Sequence, residues 1–312
     1  MYEFRELAKD VYAFLQPPLV WYSNAGVIVG DKDVIVVDSL ANAAMTKNLL
    51  SEIRRVTDKP IRFLINTHSH ADHVYTNHLF PEATVITTHS GREQTKANLE
   101  LQGEHSASYA KFFPEFDFSG GRYTVQDMCF RGTFSLYQGA REVRVIELGA
   151  GHSESDVVVY LPSEKIAFCG DVFLKGMPPL PLEGHVSQTI AHYKLLESFE
   201  AEVYVPGHGE AGTLAHVRVQ REQLERQFER ARECFQKGMS YDEALRAFAG
   251  DVIPLEFQRV VILASYCEFT GRHPETKDPA SQSHMSLIQS VADELRVLLG
   301  TKEVDKKVAM SR

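Results

Sequence analysis

The sequence predicts an α/β fold followed by a helical region, on three observations. Between Val11 and Leu101, short apolar runs alternate with helix-forming stretches. From Phe134 to Val205 a second series of short apolar runs echoes the first. From about Leu214 the texture changes to long segments rich in Gln, Glu and Arg, with apolar residues three and four apart.

In chain order, Val11–Leu15, Ala25–Val29 and Val34–Val37 read as strands, the last two joined by the hairpin chemistry of Gly30-Asp31-Lys32-Asp33. Asp38-Ser39 closes the third. Ala43 to Val56 reads as a helix with Met45, Leu49, Leu50, Ile53 and Val56 as its apolar positions, stopped by Lys59-Pro60. Strand Ile61–Ile65, strand Thr84–Thr87 and a helix from Ser90 to Leu101 complete the first alternation. Residues 102–131 break the pattern with Tyr109, Phe112, Phe113, Phe116, Phe118, Gly120, Gly121 and Tyr123. A loop of that length is uncommon in a compact domain, so its aromatic content predicts a packed lid, the alternative being an ordinary helix and turn over the core. Strands follow at Phe134–Tyr137, Val143–Glu147, Val157–Leu161, Ile166–Cys169 and Val203–Val205, with a helix from Ile190 to Phe199 before the last. Val217 to Phe235 is the first long helix, and Ser240-Tyr241-Asp242-Glu243 opens another with a capping box. Pro254–Phe269 and Ser286–Leu299 are expected as further helices, ahead of a frayed polar end at Thr301–Arg312.

Composition narrows the class of protein. Hydrophobic content of 44% and charged content of 24% are ordinary for a soluble protein, and no apolar run approaches the ~20 residues that span a bilayer. The opening Met1-Tyr2-Glu3-Phe4-Arg5-Glu6 has neither a basic leader nor an apolar core, so a cytoplasmic location is expected. Cys129, Cys169, Cys234 and Cys267 form no C-x-x-C pair and read as reduced, buried thiols. A net charge of -9 gives no general footprint for nucleic acid.

The chemistry is concentrated after strand Ile61–Ile65, in Thr67-His68-Ser69-His70-Ala71-Asp72-His73. Three imidazoles and a carboxylate beside an apolar strand are costly unless a cation satisfies them. Gly151-His152-Ser153, Gly170-Asp171-Val172 and Pro206-Gly207-His208-Gly209 place three more ligand-type side chains at strand-to-loop transitions, each beside glycine, which lets converging loops pass closely. His185 and His192 fall near Asp171 in sequence but read as surface or supporting histidines rather than ligands.

With these residues in place the chain resembles the metallo-β-lactamase fold superfamily, whose H-x-H-x-D-H signature stands here as His68 to His73, followed by a later His, an Asp and a final His. The resemblance runs over about residues 8 to 212 and includes Asn24-Ala25-Gly26, Val34 to Asp38 and Val205 to Gly209. It implies an αββα sandwich as a catalytic domain at 1–212, leaving a helical region at 213–300 and a tail at 301–312. It also implies that His68, His70 and His152 hold one metal, that Asp72, His73 and His208 hold a second, and that Asp171 bridges them. Two divalent cations follow, zinc first and iron or manganese as alternatives. The implied activity is hydrolysis of an ester, thioester, lactone or related acyl bond by a hydroxide between the metals, with Asp72 orienting it.

Departures from subfamily patterns narrow the choice without settling it. The best-known zinc β-lactamases place Cys where Asp171 stands, which disfavours a β-lactamase. Lactonases of acyl-homoserine lactones have Tyr where this chain has Leu174. Flavodiiron reductases replace the second motif His, retained here as His70. Glyoxalase II shares the seven ligands, but its final His has other neighbours. Met177-Pro178-Pro179-Leu180-Pro181-Leu182, Trp21, Tyr22 and residues 102–131 are candidate pocket walls. The expected partner is a small-molecule acyl substrate, with neither nucleic acid nor membrane, and a homodimer is one arrangement the chain allows. The competing readings are a mononuclear iron dioxygenase of persulfides, a non-catalytic regulator that keeps its metal, and a nuclease of the same fold.

Overall fold

The alternation closes into two mixed β-sheets packed face to face between helices. A computed structural model describes residues 2–250, 253 and 255–271. The first sheet holds β1 (Glu3–Ala8), β2 (Val11–Leu15), β3 (Ala25–Val29), β4 (Val34–Val37), β5 (Ile61–Ile65), β6 (Thr84–Thr88) and β7 (Met128–Phe130) in that spatial order. It is antiparallel from β1 to β4 and parallel from β4 to β7. The second sheet holds β8 (Thr133–Gln138), β9 (Arg141–Gly149), β10 (Asp156–Leu161), β11 (Ile166–Phe168) and β12 (Val203–Val205), ordered β12-β11-β10-β9-β8, with β11 and β12 parallel. Helices α1 (Ala43–Val56), α2 (Ala71–Val74), α3 (His89–Glu100), α4 (Gln102–Phe112), α5 (Val186–Ser198), α6 (Leu214–Gln236), α7 (Tyr241–Phe248) and α8 (Leu255–Phe269), with 3-10 turns at Asn77–Leu79 and Gly170–Val172, complete the described elements.

Burial explains the texture of the strands. Every residue of β3, β4 and β10 is buried, so these strands are near-continuous apolar runs rather than alternating ones. Between the sheets, Ile28, Ile35, Val37 and Ile65 share a core with Val145, Val157, Val159 and Phe168. On the outer face of the first sheet, α1 starts where the Asn42 side chain accepts from the Met45 amide, and it packs Met45, Leu49 and Ile53 with Val27, Val36 and Leu64. On the other side, Tyr193 of α5, Leu224 and Phe228 of α6 and Val261 of α8 join Val158, Tyr160 and Ala167. The helical region therefore supplies part of the outer layer of the sandwich.

The structure departs from the sequence expectation in four places. Strand β1 precedes the first one expected: Glu3–Ala8 is an edge strand with no fully buried residue, so it shows no apolar run. The second half of the His-rich motif winds into α2 instead of remaining loop. Residues 102–131 contain α4 and β7, and α4 buries only His105 and Tyr109, which left its periodicity faint. Helix α5 starts at Val186, four residues before the expected Ile190. The expected helix Ser286–Leu299 and the end Thr301–Arg312 lie outside the described residues. No helix among the described residues is long and apolar enough to cross a membrane.

Candidate metal centre

All seven ligand-type residues come from the connections between strands, at one edge of the two sheets. His68 and His70 follow β5, and Asp72 and His73 lie on α2. His152 precedes β10, Asp171 sits in a 3-10 turn after β11, and His208 follows β12. They form two clusters: His68, His70, His152 and Asp171 in one, Asp72, His73 and His208 in the other, with ligand-type atoms in each within 4.8 Å of one another.

The inward atoms define the geometry. His70 Nδ1 lies 3.0 Å from His68 Nε2 and 3.1 Å from His152 Nε2. Zinc bonds of about 2.0–2.1 Å would set tetrahedral nitrogens about 3.3 Å apart, so this spacing suits one cation. Asp171 faces both clusters, with Oδ2 at 3.3 Å from His152 Nε2 and 3.5 Å from His208 Nε2, and Oδ1 at 3.3 Å from His73 Nε2. Asp72 Oδ2 is 3.1 Å from His208 Nε2 and 3.5 Å from His73 Nε2. His73 Nε2 and Asp171 Oδ1 are buried and, despite their proximity, lack the alignment of a hydrogen bond. Two orphaned polar atoms facing each other are what a cation would satisfy. The backbone makes room: a Cβ at Gly207 would lie 1.7 Å from Asp171 Oδ1, so only glycine lets the β12 loop pass this carboxylate.

The outward nitrogens are held separately, which leaves the inward ones as lone pairs whenever the ring is neutral. His73 Nδ1 lies 2.8 Å from Asp38 Oδ2, whose carboxylate also accepts from the Thr67 amide at 2.8 Å and the Thr67 hydroxyl at 2.7 Å. That hydroxyl is 3.1 Å from His68 Nδ1. His208 Nδ1 donates to the Leu19 carbonyl at 3.0 Å and His152 Nδ1 to the Leu180 carbonyl at 2.8 Å, while His70 Nε2 meets Glu183 Oε1 at 3.2 Å. Asp156 braces the His152 loop, accepting from the His152 amide at 2.7 Å and the Ser153 hydroxyl at 2.6 Å. Asn24 ties down the last loop through the Pro206 and Gly209 carbonyls, at 2.9 and 2.8 Å.

The electrostatics are those of a centre short of positive charge. Burial pushes His152 down to about 4, and burial followed by the neighbouring histidines holds His68 well below its ordinary range. Burial opposes the charged form of His208 too, yet Asp171 and Asp72 raise it to about 10. Against burial, His208, His73 and His152 hold the Asp171 carboxyl well below the usual carboxylate range. Burial opposes charge on His73 as well, but Asp72, Asp171 and Asp38 hold it well above its ordinary range, so protons on His73 and His208 stand where cations could stand.

A family profile described as "Metallo-beta-lactamase superfamily" matches residues 18–208. The chain belongs to the metallo-β-lactamase superfamily. Among relatives, the type 2 metallo-β-lactamase of Bacillus cereus is 24% identical over 196 residues, 61% of this chain and 68% of that protein. The 2,4-dinitroanisole O-demethylase subunit alpha of Nocardioides sp. is 25% identical over 198 residues, 61% of this chain and 55% of that protein. Among solved structures, a metallo-β-lactamase from Pontibacter korlensis superposes with a TM-score of 0.57 at 19% identity, covering 72% of this chain and 99% of that one. An inverting sec-alkylsulfatase from Pseudomonas sp. superposes with a TM-score of 0.68 at 15% identity, covering 90% of this chain and 52% of that one. At these identities the superpositions show the fold alone, while the family profile and the β-lactamase relative point to metal-dependent hydrolases at the level of the superfamily.

The expected pocket walls divide into two patches that meet at Val20. One is aromatic: Trp21 packs edge-on against Tyr109, Phe113 and Phe118, and the Tyr109 and Tyr123 hydroxyls lie 3.4 Å apart. Burial raises the Tyr109 phenol, its bond to the Tyr123 hydroxyl works the other way, and the charges of Asp72 and Glu183 add to the rise. The other is aliphatic: Leu174, Met177, Leu180 and Leu182 pack with Phe257 and Val260 of α8. His192 belongs to neither cluster: it is buried against Gly151, behind the His152 loop, and donates to the Leu148 carbonyl at 2.8 Å, while His185 precedes α5. Sequence reasoning missed the supporting groups Asp38, Glu183, Asp156 and the Leu19 carbonyl. Asp38 alone had a local signal, an acid closing an apolar strand; it adopts φ 63°, a left-handed conformation unusual outside glycine.

Proposed function

We propose that the protein is a hydrolase of an ester-like acyl bond that works with two divalent cations, zinc first. One observation supports the pair above a single ion: the Asp171 carboxylate stands between the clusters, with Oδ2 near both His152 and His208 and Oδ1 near His73. His68, His70 and His152 would hold one cation, Asp72, His73 and His208 the other, and Asp171 both. When bound, such cations supply Lewis acidity and bring the pKa of water from ~16 toward ~7.

The chain's own residues do the rest. Asp72 orients the attacking water and takes its proton, and Asp38, Glu183 and the Leu180 and Leu19 carbonyls keep the imidazoles in the tautomers that leave lone pairs inward. The aromatic and aliphatic patches exclude water and favour an apolar acyl or alcohol group. Leu174 gives no oxyanion donor at its position. This reading takes a small-molecule acyl substrate as the partner and involves no nucleic acid.

The test is a panel of aryl esters, thioesters, lactones, β-lactams and alkyl sulfates offered to zinc-loaded protein. Turnover of an acyl ester or thioester, abolished by a chelator and restored by zinc, is expected. Turnover of alkyl sulfates alone, or one iron per chain with oxygen consumption, would replace the reading.

A further inference from the structure

Two of the three imidazoles of the first cluster are gripped from outside by one short segment, Leu180–Glu183. The Leu180 carbonyl accepts from His152 Nδ1 at 2.8 Å, and the amides of Leu182 and Glu183 donate to the His152 carbonyl at 3.2 and 3.1 Å. The Glu183 carboxylate stands 3.2 Å from His70 Nε2 with one oxygen and accepts from Gln94 Nε2 at 3.0 Å with the other. Gln94 Oε1 in turn accepts from the Ser69 hydroxyl at 2.8 Å, so the chain of bonds returns to the residue between His68 and His70. The second cluster has other supports: Asp38 for His73, the Leu19 carbonyl for His208, and the Ser23 hydroxyl for the Asp72 carbonyl.

The same segment is fastened to the helical region. The side chains of Leu180 and Leu182 pack against Phe257 and Val260 of α8. Just upstream, Gln220 of α6 donates to the Leu174 and Met177 carbonyls at 2.5 and 2.6 Å. Val20 touches the α8 patch too, next to the Leu19 carbonyl that serves His208, so Leu182 rather than Phe257 is the position that isolates the link.

We propose that Leu180–Glu183 is a positioning segment, anchored on the helical region, that sets cation affinity at His68, His70 and His152 independently of Asp72, His73 and His208. This rests on the two-cation reading above. Glu183 acts through His70, and Leu182 acts by seating the backbone that holds His152.

The experiment is a zinc titration against a competing chelator, on the full chain and on Glu183→Ala, Glu183→Gln, Leu182→Ala and His70→Ala. The unaltered chain should take up two zinc ions. Glu183→Ala should weaken one of them by about 10–100-fold and leave the other unchanged, the usual cost of removing a group that supports a ligating histidine. Glu183→Gln, which keeps an oxygen for His70, should recover most of that loss, and Leu182→Ala should weaken the same ion. Adding Glu183→Ala to His70→Ala should cost nothing further, which identifies the cluster. Equal weakening of both ions, or none, overturns the proposal; so does a Leu182→Ala chain that binds both ions as the unaltered chain does. An unaltered chain that takes up no zinc defeats the two-cation reading itself, a result distinct from intact uptake that the variants do not alter.

Discussion

Replacing Asp38 by Asn should damage both clusters through one carboxylate that touches neither inward face. Asn tolerates the φ of 63° at this position, so the backbone is preserved and only the charge and one acceptor change. The oxygen facing the Thr67 amide can remain an acceptor, while an NH2 replaces the oxygen that faces both the Thr67 hydroxyl and His73 Nδ1. His73 must then put its proton on Nε2, the atom aimed at Asp171. The Thr67 hydroxyl, now accepting from Asn, must turn its own proton toward His68 Nδ1, 3.1 Å away, which moves the His68 proton to Nε2 as well. Two inward lone pairs are lost for one substitution. Loss of a group supporting a metal-ligating histidine weakens affinity about 10–100-fold, or about 1.4–2.7 kcal/mol per ion. The two altered charge-assisted bonds should also cost the metal-free fold about 3–6 kcal/mol. Chelator-competition titration reads the first effect and denaturant unfolding of metal-free protein the second. An Asp38→Asn protein that folds and binds zinc as tightly as the parent would refute this tautomer argument.

Gly207→Ala should displace the Asp171 carboxylate, because the new Cβ would fall 1.7 Å from its Oδ1; metal uptake should drop at both clusters, and unchanged uptake would show that the loop can yield. Stripping the metals should lower the unfolding free energy by about 2.7 kcal/mol per ion at a hundredfold excess of free zinc over its dissociation constant, and the unfolding temperature with it; a calorimetric scan with and without chelator checks it. Burial, only partly offset by its bond to Leu148, lowers His192 from 6.5 to about 4, so its contribution is complete above pH 6.5 and is lost as pH falls toward 4. The loss amounts to about 3 kcal/mol. Metal-free His192→Gln should therefore show a shallower fall in unfolding free energy over that interval, and an identical slope would contradict the assignment.

The fold was legible wherever burial on both faces wrote continuous apolar runs into the chain, as in β3, β4 and β10, or wrote a clear stripe, as in α1. Strand β1 was not, because an edge strand keeps charges such as Glu3, Arg5 and Glu6. Helix α4 was masked by glycine and aromatic residues whose role is to build a wall around Trp21, a tertiary contact with no local period. The seven ligand-type residues were legible because rare residue types stand together or beside glycine. Glu183 was not: nothing around it marks the acid that meets His70, 113 residues earlier in the chain. Asp156, four residues after the His152 it braces, looks like any polar start to a strand.

On the proposed function, one folded chain holds two divalent cations through Asp171 and its neighbours. The most direct measurement is the metal content of zinc-loaded protein after gel filtration, beside the same measurement on Asp171→Ala. Two zinc ions per chain, with occupancy lost at both clusters in the variant, is the predicted result. A single ion that survives removal of the Asp171 carboxylate would contradict the account.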